Sequence, residues 1–221
     1  MTDTSSTTSE HKSSATRYSQ AYEELRSLLL SGTLEPNTRL TEADLTTRFT
    51  VSRSTMRAVL VRLTQEGYVT SEVNRGVRTR SFSPEEAKDI LEARETLEAA
   101  LAGKAAERAT EDEIAELRAT LDTMADARAR GDQAAYSHGN RRFHQQVKTA
   151  AHQHTLARTY DTLLYPLVMR QYRNVSAQHP RAGSFEEHQA IFHAIFTRNP
   201  EAAVAVMRHH VGAARHALVL G

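Results

Sequence analysis

Residues 51–69 read "VSRSTMRAVLVRLTQEGYV", and this stretch decides the fold of the N-terminal part of the chain. Ser52 precedes the run and can cap a helix that continues to about Gly67. Arg53 and Arg57 are four residues apart, so they share one helix face near its N-terminal end. The apolar residues that recur at helical spacing and predict a core-facing stripe are Met56, Val59, Leu60 and Leu63.

The segments on either side of this helix predict its context. Residues 18–31 carry apolar side chains at helical spacing, and Gly32 ends that pattern. Thr41 can cap a short helix over "EADLTTRF", and "YVTSEVNRGVRTRS" indicates two short strands around a turn at Asn74-Arg75-Gly76. Three helices followed by a hairpin, over residues 17–80, predict a winged helix-turn-helix domain.

The basic residues of this domain indicate DNA binding. Residues 17–80 hold ten arginines and seven acidic residues, although the whole chain carries a net charge of only +1. The quoted stretch has no carboxylate before Glu66, so we expect phosphates and guanine edges to balance its arginines. A merely solvated basic face remains the alternative. The candidate DNA-binding residues are Arg39, Arg48, Ser52, Arg53, Ser54, Thr55, Arg57 and Arg75.

The remainder of the chain differs in composition. Residues 1–16 are rich in Ser and Thr without apolar periodicity, which predicts a disordered tail. From Ser83-Pro84 onward the pattern is helical, with capping boxes at Thr110 and Ser184. Breaks at residues 131–132, 179–180 and 199–200 divide it into six or seven helices. The prediction is a mainly α protein, with an all-α antiparallel bundle over residues 81–221.

Composition excludes several classes of protein. The chain has no cysteine, which excludes disulfide scaffolds, thiolate zinc sites and cysteine nucleophiles. No apolar run approaches the ~18 residues that a membrane-spanning helix needs. We therefore expect a cytoplasmic protein that has no membrane partner.

Ten of the eleven histidines follow residue 81. Three of them lie on three separate predicted helices. Asn140 and His144 are four residues apart on one helix face, while His188 and His210 lie on two later helices. Neutral imidazole is a common ligand of divalent ions, and a bundle core can hold such a site between helices. Hydrogen-bonded core histidines without metal remain the alternative.

Residues 25–83 resemble the DNA-binding domain of GntR-family bacterial transcription regulators. The matching motifs are "GTLEPN" from residue 32, "LTEADL" from residue 40, "VSRSTMR" from residue 51 and "LTQEGYV" from residue 63. The resemblance implies operator contacts from Ser52, Arg53, Ser54 and Arg57, with Gly76 letting the wing tip approach the minor groove. Thr50 departs from the glycine that is common in the family.

Residues 83–221 resemble the FCD ligand-binding domain of the FadR-type branch. The matching segments are "EARETLEAALAGKAA", "NRRFHQQVKTAAHQHTL" and "EEHQAIFHAIFTRNPEAAVAVMRHHV". The resemblance implies a divalent metal ion, zinc first and nickel or manganese as alternatives. Its ligands would be Asn140, His144, His188 and His210, with His209 competing for the last position. Asn140 replaces the more usual Asp, so we expect weaker metal binding.

The resemblance also implies a small effector, an organic or sugar acid, beside the metal. Arg94 is the candidate effector-binding residue, with a salt bridge to Glu95 or Glu98 as the alternative. We expect a homodimeric repressor, not an enzyme, that binds a palindromic double-stranded DNA operator under effector control. The alternatives are a DNA-binding protein whose helical domain only dimerises, and a metal-dependent hydrolase with an accessory DNA-binding domain.

Overall fold

The computed structural model describes residues 6–72, 76–172 and 183–219. Its contacts divide the chain into two units. The first contains residues 1–83 and 166–171, and the second contains residues 84–165 and 172–221. No sequence pattern indicated that residues 166–171 belong with the N-terminal part.

Three helices form the helix-turn-helix part of the first unit: α1 (Ser6–Ser31), α2 (Glu42–Phe49) and α3 (Arg53–Gln65). Both predicted caps are present, since the Thr41 side chain accepts from the Asp44 amide and Ser52 accepts from the Thr55 amide. The four apolar residues predicted to face the core of α3 are all buried. The prediction of an amphipathic helix that presents arginines to solvent is therefore confirmed.

Helix α1 is longer than expected. It begins at Ser6, so the expectation of a disordered tail does not hold for residues 6–16, and residues 1–5 lie outside the described part of the chain. No glycine or proline interrupts residues 6–31, and the helix can therefore extend beyond its apolar stripe. Gly32, at φ +94°, ends it.

A three-stranded antiparallel sheet completes the domain. The strands are β1 (Arg39–Leu40), β2 (Val69–Glu72) and β3 (Gly76–Thr79), in the order β1-β3-β2. The predicted hairpin is confirmed as β2 and β3, although residues 73–75 of its turn are not among those described. Strand β1 lies between α1 and α2, and its Leu40 pairs with Val77 of β3.

The second unit is built from six helices within the described residues: α4 (Pro84–Arg108), α5 (Glu111–Ala129), α6 (Gln133–Ala150), α7 (His154–Asp161), α9 (Ser184–Phe196) and α10 (Pro200–Val219). The intervening helix α8 (Tyr165–Gln171) falls mostly in the first unit.

The last residues of α8 form hydrogen bonds with other residues of the first unit. Arg170 donates to the backbone oxygens of Leu29 and Leu34, and the Gln171 amide exchanges hydrogen bonds with the Phe82 backbone at 2.7 and 3.0 Å.

Small residues let the helices of the second unit approach closely. On α4, Ala102, Ala105 and Ala106 are fully buried, and a Cβ added to Gly103 would lie 2.7 Å from the Val204 side chain of α10. Helices α6, α9 and α10 all pack against α4, so side chains pointing inward from the four helices meet in one core. No described helix is both long enough and apolar enough to cross a membrane.

One predicted cap is present and another is not. Thr110 and Glu113 form the expected reciprocal capping box at the start of α5. At the start of α9 the residue in the cap position is Gly183, at φ +85°, and Ser184 makes no side-chain cap bond. The backbone oxygen of Ser184 instead lies 2.5 Å from Nδ1 of His188, on the same helix.

Candidate functional site

Helix α3 presents the predicted polar residues on one surface. The side chains of Ser52, Arg53 and Ser54 are exposed, and Thr55 is half-buried. The Ser52 hydroxyl lies 2.9 Å from the Ser54 hydroxyl and 2.8 Å from that of Thr55, in addition to capping the helix. These hydroxyls form a small polar cluster at the N-terminal end of α3, where the helix dipole favours an anion such as a phosphate.

The expectation that Arg57 has no carboxylate partner is wrong. Its Nε donates to Glu42 Oε1 at 2.9 Å and to Glu42 Oε2 at 3.0 Å, and this hydrogen bond raises the pKa of the guanidinium. Glu42 starts α2, fifteen residues earlier, and the helix-turn-helix brings it to α3. Both hydrogen bonds to Glu42 are donated by Nε.

Arg62 also has a carboxylate partner, but in a different setting. Its Nε donates to Glu66 at 2.9 Å, and its guanidinium lies 3.7 Å from the centre of the Tyr22 ring on α1. The Tyr22 hydroxyl donates to the same carboxylate at 2.5 Å. Arg62 therefore ties α3 to α1 and stabilises the domain.

Three of the other predicted DNA-binding residues lie on β1, on α2 and at the start of β3. Arg39 is exposed on β1, and Arg48 is exposed in the last turn of α2. Gly76 has φ +84°, and a Cβ placed on it would have no neighbour within 4 Å, so the wing is open there. Arg75 lies outside the described residues.

The structure brings the four predicted metal ligands together in the core of the second unit. His144 on α6, His188 on α9 and His210 on α10 are buried, and one ligand atom from each lies within 4.8 Å of the others. The Nε2 atoms of His144 and His210 are 3.2 Å apart, and Asn140 Oδ1 lies 2.7 Å from His188 Nε2. The competing residue, His209, has an exposed side chain.

An oxygen atom accepts a hydrogen bond from the Nδ1 of each imidazole and so fixes the orientation of the ring. The Nδ1 of His144 donates to Glu98 Oε2 at 2.6 Å, that of His210 to Glu187 Oε2 at 2.7 Å, and that of His188 to the Ser184 backbone oxygen at 2.5 Å. A neutral imidazole that carries its proton on Nδ1 presents a lone pair at Nε2. Three such lone pairs and an amide oxygen therefore converge, and this donor set fits a divalent cation.

Glu98 joins this cluster to two further side chains. Arg94 Nε donates to its Oε1 at 2.7 Å, and the Tyr160 hydroxyl donates to the same oxygen. Burial alone would raise the pKa of Glu98, but Arg94 and His144 outweigh that effect and hold the pKa well below its usual range. Glu98 is therefore ionised when it holds His144.

Arg94 forms a salt bridge with Glu98, which was the alternative to a role in effector binding. It is 6% exposed, is paired with Glu98 on its own helix, and lies 4.2 Å from the centre of the Tyr165 ring. The pKa of Arg94 is raised because the attraction of Glu98 outweighs the cost of burial, which by itself would lower it. Its predicted role in effector binding stays a prediction.

Sequence reasoning missed the residues that orient the histidines. Glu187 belongs to the segment that was expected to form a capping box at Ser184, yet its carboxylate holds His210. Glu98 lies within the segment that resembles the FCD signature, so a signal for it was present in the sequence. Tyr160 had no recognisable signal, because its contact with Glu98 joins residues 62 positions apart.

Comparisons with known proteins agree with this architecture. Residues 17–78 match the bacterial regulatory proteins of the gntR family, and residues 89–213 match the FCD domain. The chain is 25% identical over 187 residues to the HTH-type transcriptional regulator YdhC of Bacillus subtilis, an alignment that covers 84% of each protein. It is 24% identical over 192 residues to the HTH-type transcriptional repressor RspR of Escherichia coli K12, covering 87% of this chain and 84% of RspR.

Similarity to a solved structure extends over nearly the whole chain. Escherichia coli McbR/YncC superposes with a TM-score of 0.75 at 18% identity, covering 91% of this chain and 96% of that one. At this identity the likeness shows the fold alone. The two family matches lie on the winged helix-turn-helix and on the helical unit, as the sequence predicted. The chain therefore belongs to the GntR family of bacterial regulatory proteins, and it is a transcriptional regulator with a C-terminal FCD domain.

Proposed function

We propose that this regulator is a homodimeric repressor whose affinity for a palindromic operator is controlled by a small carboxylate-bearing effector. The effector binds in the helical unit beside a divalent metal ion. The observation that carries the proposal is the convergence of three imidazole Nε2 atoms, each on a ring whose Nδ1 is held by an acceptor.

The DNA-binding half of the proposal rests on α3 and the wing. Arg53 and Arg57 are exposed near the N-terminal end of α3, and both Nη groups of Arg57 can reach guanine while Glu42 holds its Nε. Arg39 and Arg48 extend the basic surface toward the phosphates. A dimer would present two such surfaces to the two halves of a palindrome.

The metal half rests on the chemistry of the donor set. Asn140, His144, His188 and His210 would hold the ion, with zinc the first expectation and nickel or manganese the alternatives. The bound ion would supply a Lewis acid that accepts a carboxylate oxygen of the effector. With Arg94, Glu98 and Glu187 all ionised, a divalent ion leaves the cluster with one net positive charge, which suits an anion.

A measurement of metal content tests the proposed metal site directly. Protein purified without an affinity tag should contain close to one metal ion per chain by elemental mass spectrometry. The double variant His144→Ala/His188→Ala should lose it, whereas His209→Ala, which removes an exposed neighbour of the cluster, should retain it. A wild-type protein that takes up neither zinc, nickel nor manganese would exclude the metal site and favour a helical domain that only dimerises.

Operator binding tests the control by effector. An operator can be selected from random DNA by the protein itself and its affinity measured by fluorescence anisotropy. We expect lactate or gluconate, as representatives of organic and sugar acids, to weaken binding by the metal-loaded protein. A tenfold change in affinity needs only ~1.4 kcal/mol of difference in effector binding between the two states. Hydrolysis of a small ligand by the protein would instead support the enzyme alternative.

A further inference from the structure

Helix α3 carries an exposed apolar side chain that does not pack in the core. Val61 is 56% exposed, and it is one of two large hydrophobic side chains in the described part of the chain with at least half of their surface in solvent. Successive residues of an α-helix are about 100° apart, so Val61 points within roughly 30° of the direction opposite to the buried stripe. That stripe consists of Met56, Val59, Leu60 and Leu63.

Val61 does not stabilise the helix on which it lies. A β-branched side chain loses rotamer freedom in a helix, so valine is a poorer helix former than alanine. The hydrophobic effect contributes only where apolar surface leaves water, and most of the Val61 side chain remains in water. Helix propensity and core packing would both favour another residue at this position, which directs attention to the surface around it.

That surface is the one assigned to DNA. Arg57 lies one turn before Val61, and Arg53 lies one turn before Arg57. No acidic residue occurs in the stretch from residue 51 until Glu66. The exposed residues that form a line along the helix opposite to the core are Ser54, Ala58, Val61 and Gln65. An uncharged line with an apolar side chain at its centre therefore lies beside the two arginines.

The small side chains on this line suit a helix that enters the major groove. The groove is about 12 Å wide, and an α-helix with its side chains measures about 10–12 Å across. Because Ser54 and Ala58 are small, the helix backbone can approach the base edges closely, and the short side chain of Val61 can reach them. Of the groups that bases present in this groove, the C5-methyl group of thymine is the apolar one.

We infer that Val61 reads the operator through the C5-methyl group of a thymine. This contact rests on the proposed operator binding, and it adds an apolar determinant of specificity to the polar contacts of Arg53 and Arg57. Val61 is four residues beyond Arg57, which is about 6 Å along the helix axis, and successive base pairs are about 3.4 Å apart. The thymine therefore lies within about two base pairs of the base pair that Arg57 reads.

Uracil is the matched probe for this contact. It differs from thymine only by the absence of the C5-methyl group, so base pairing and the hydrogen-bonding groups in the groove are unchanged. Burial of one such group corresponds to about a fourfold difference in affinity. A change of this size on exchange of thymine for uracil reports an apolar contact and no other.

The experiment uses the full-length protein and an operator that the protein selects from random DNA. Arg57→Ala, tested on single-base variants, locates the base pair that Arg57 reads. Deoxyuridine then replaces each thymine within two base pairs of it, and fluorescence anisotropy gives the affinities. We expect one such exchange to weaken binding by wild-type protein about fourfold in each half-site. Val61→Ala should bind the thymine and uracil operators nearly equally.

Gln65→Ala is the matched control, since it shortens an exposed side chain one turn further along the same line of α3. It should keep the full difference between the thymine and uracil operators. Val61→Ala should also keep the circular dichroism spectrum and the thermal midpoint of wild type, because the side chain that it shortens is exposed. A lower affinity of Val61→Ala for the thymine operator then reflects a lost contact with DNA.

Three results would overturn the inference. They are a selected operator without thymine near the base pair that Arg57 reads, wild-type affinity that does not respond to removal of the methyl groups, and a methyl dependence that persists in Val61→Ala. Failure of the proposed function would look different. A protein that selects no sequence from random DNA would refute operator binding and the Val61 contact together, whereas an operator read without methyl dependence would refute the Val61 contact alone.

Discussion

His144 and His210 bring their Nε2 atoms within 3.2 Å of each other, while a carboxylate holds the Nδ1 of each ring. Carboxylates accept the Nδ1 protons, so both rings direct lone pairs toward the same point. Two facing lone pairs repel unless a cation lies between them. The contacts with Glu98 and Glu187 therefore orient both rings as the proposed metal site requires.

Replacing Glu98 should weaken metal binding without removing a ligand. Glu98→Gln keeps the shape of the side chain but removes the charge that orients His144 and balances Arg94. We expect metal affinity to fall by ~10- to 100-fold, measured by competition with a chelating dye. Stability to urea should fall by ~3 to 5 kcal/mol, because Arg94 stays buried without its partner. Glu107→Gln, at an exposed salt bridge on the same helix, should change neither quantity appreciably. Unchanged metal affinity would mean that Glu98 does not orient the ligand.

Asn140 should limit the affinity for metal. In Asn140→Asp, a charged oxygen replaces the amide oxygen that lies 2.7 Å from His188 Nε2. We expect the metal to bind at least tenfold more tightly in isothermal titration calorimetry, because an anionic ligand attracts a divalent ion more strongly. The anionic effector should bind more weakly, since the added charge cancels the net positive charge of the loaded cluster. Equal metal affinities for the two proteins would remove Asn140 from the ligand set.

Arg57 and Arg62 should differ in their effects although both have carboxylate partners. Arg57→Ala should weaken operator binding by ~1 to 3 kcal/mol and relax specificity at one base pair. Arg62→Ala should mainly lower stability, because its guanidinium packs on Tyr22. Operator affinities across a set of single-base variants, together with thermal unfolding, separate the two. An Arg57→Ala protein that binds the operator as tightly as wild type would exclude the assigned contact.

Thr50 should carry backbone strain. It ends α2 in the left-handed conformation, with φ 53° and ψ 47°, where a β-branched residue is disfavoured by ~1 to 2 kcal/mol. Thr50→Gly should therefore raise the free energy of unfolding by about 1 kcal/mol, measured in urea. Thr47→Gly, inside the same helix, should instead lower it by roughly 0.3 kcal/mol and is the matched control. A loss of stability in Thr50→Gly would contradict the strain.

Local patterns in the sequence were sufficient to predict the elements of the DNA-binding domain. The spacing of Met56, Val59, Leu60 and Leu63, with the cap at Ser52, defined α3, and the turn at residues 74–76 indicated the wing. Such signals depend on residues within one or two turns of each other, so a single segment carries them. The ends of the helices were predicted less well, as the start of α1 and the cap of α9 illustrate.

The sequence by itself determined the class of protein and named the histidines, because their residue types and their resemblance to a family are present in the chain as written. Only the tertiary structure decided which side chains hold those histidines and which carboxylate holds Arg57. Glu98 meets His144 across 46 residues, and Glu42 meets Arg57 across fifteen. Such pairs form when separate helices pack, and the local periodicity of a sequence does not predict which helix faces will be in contact.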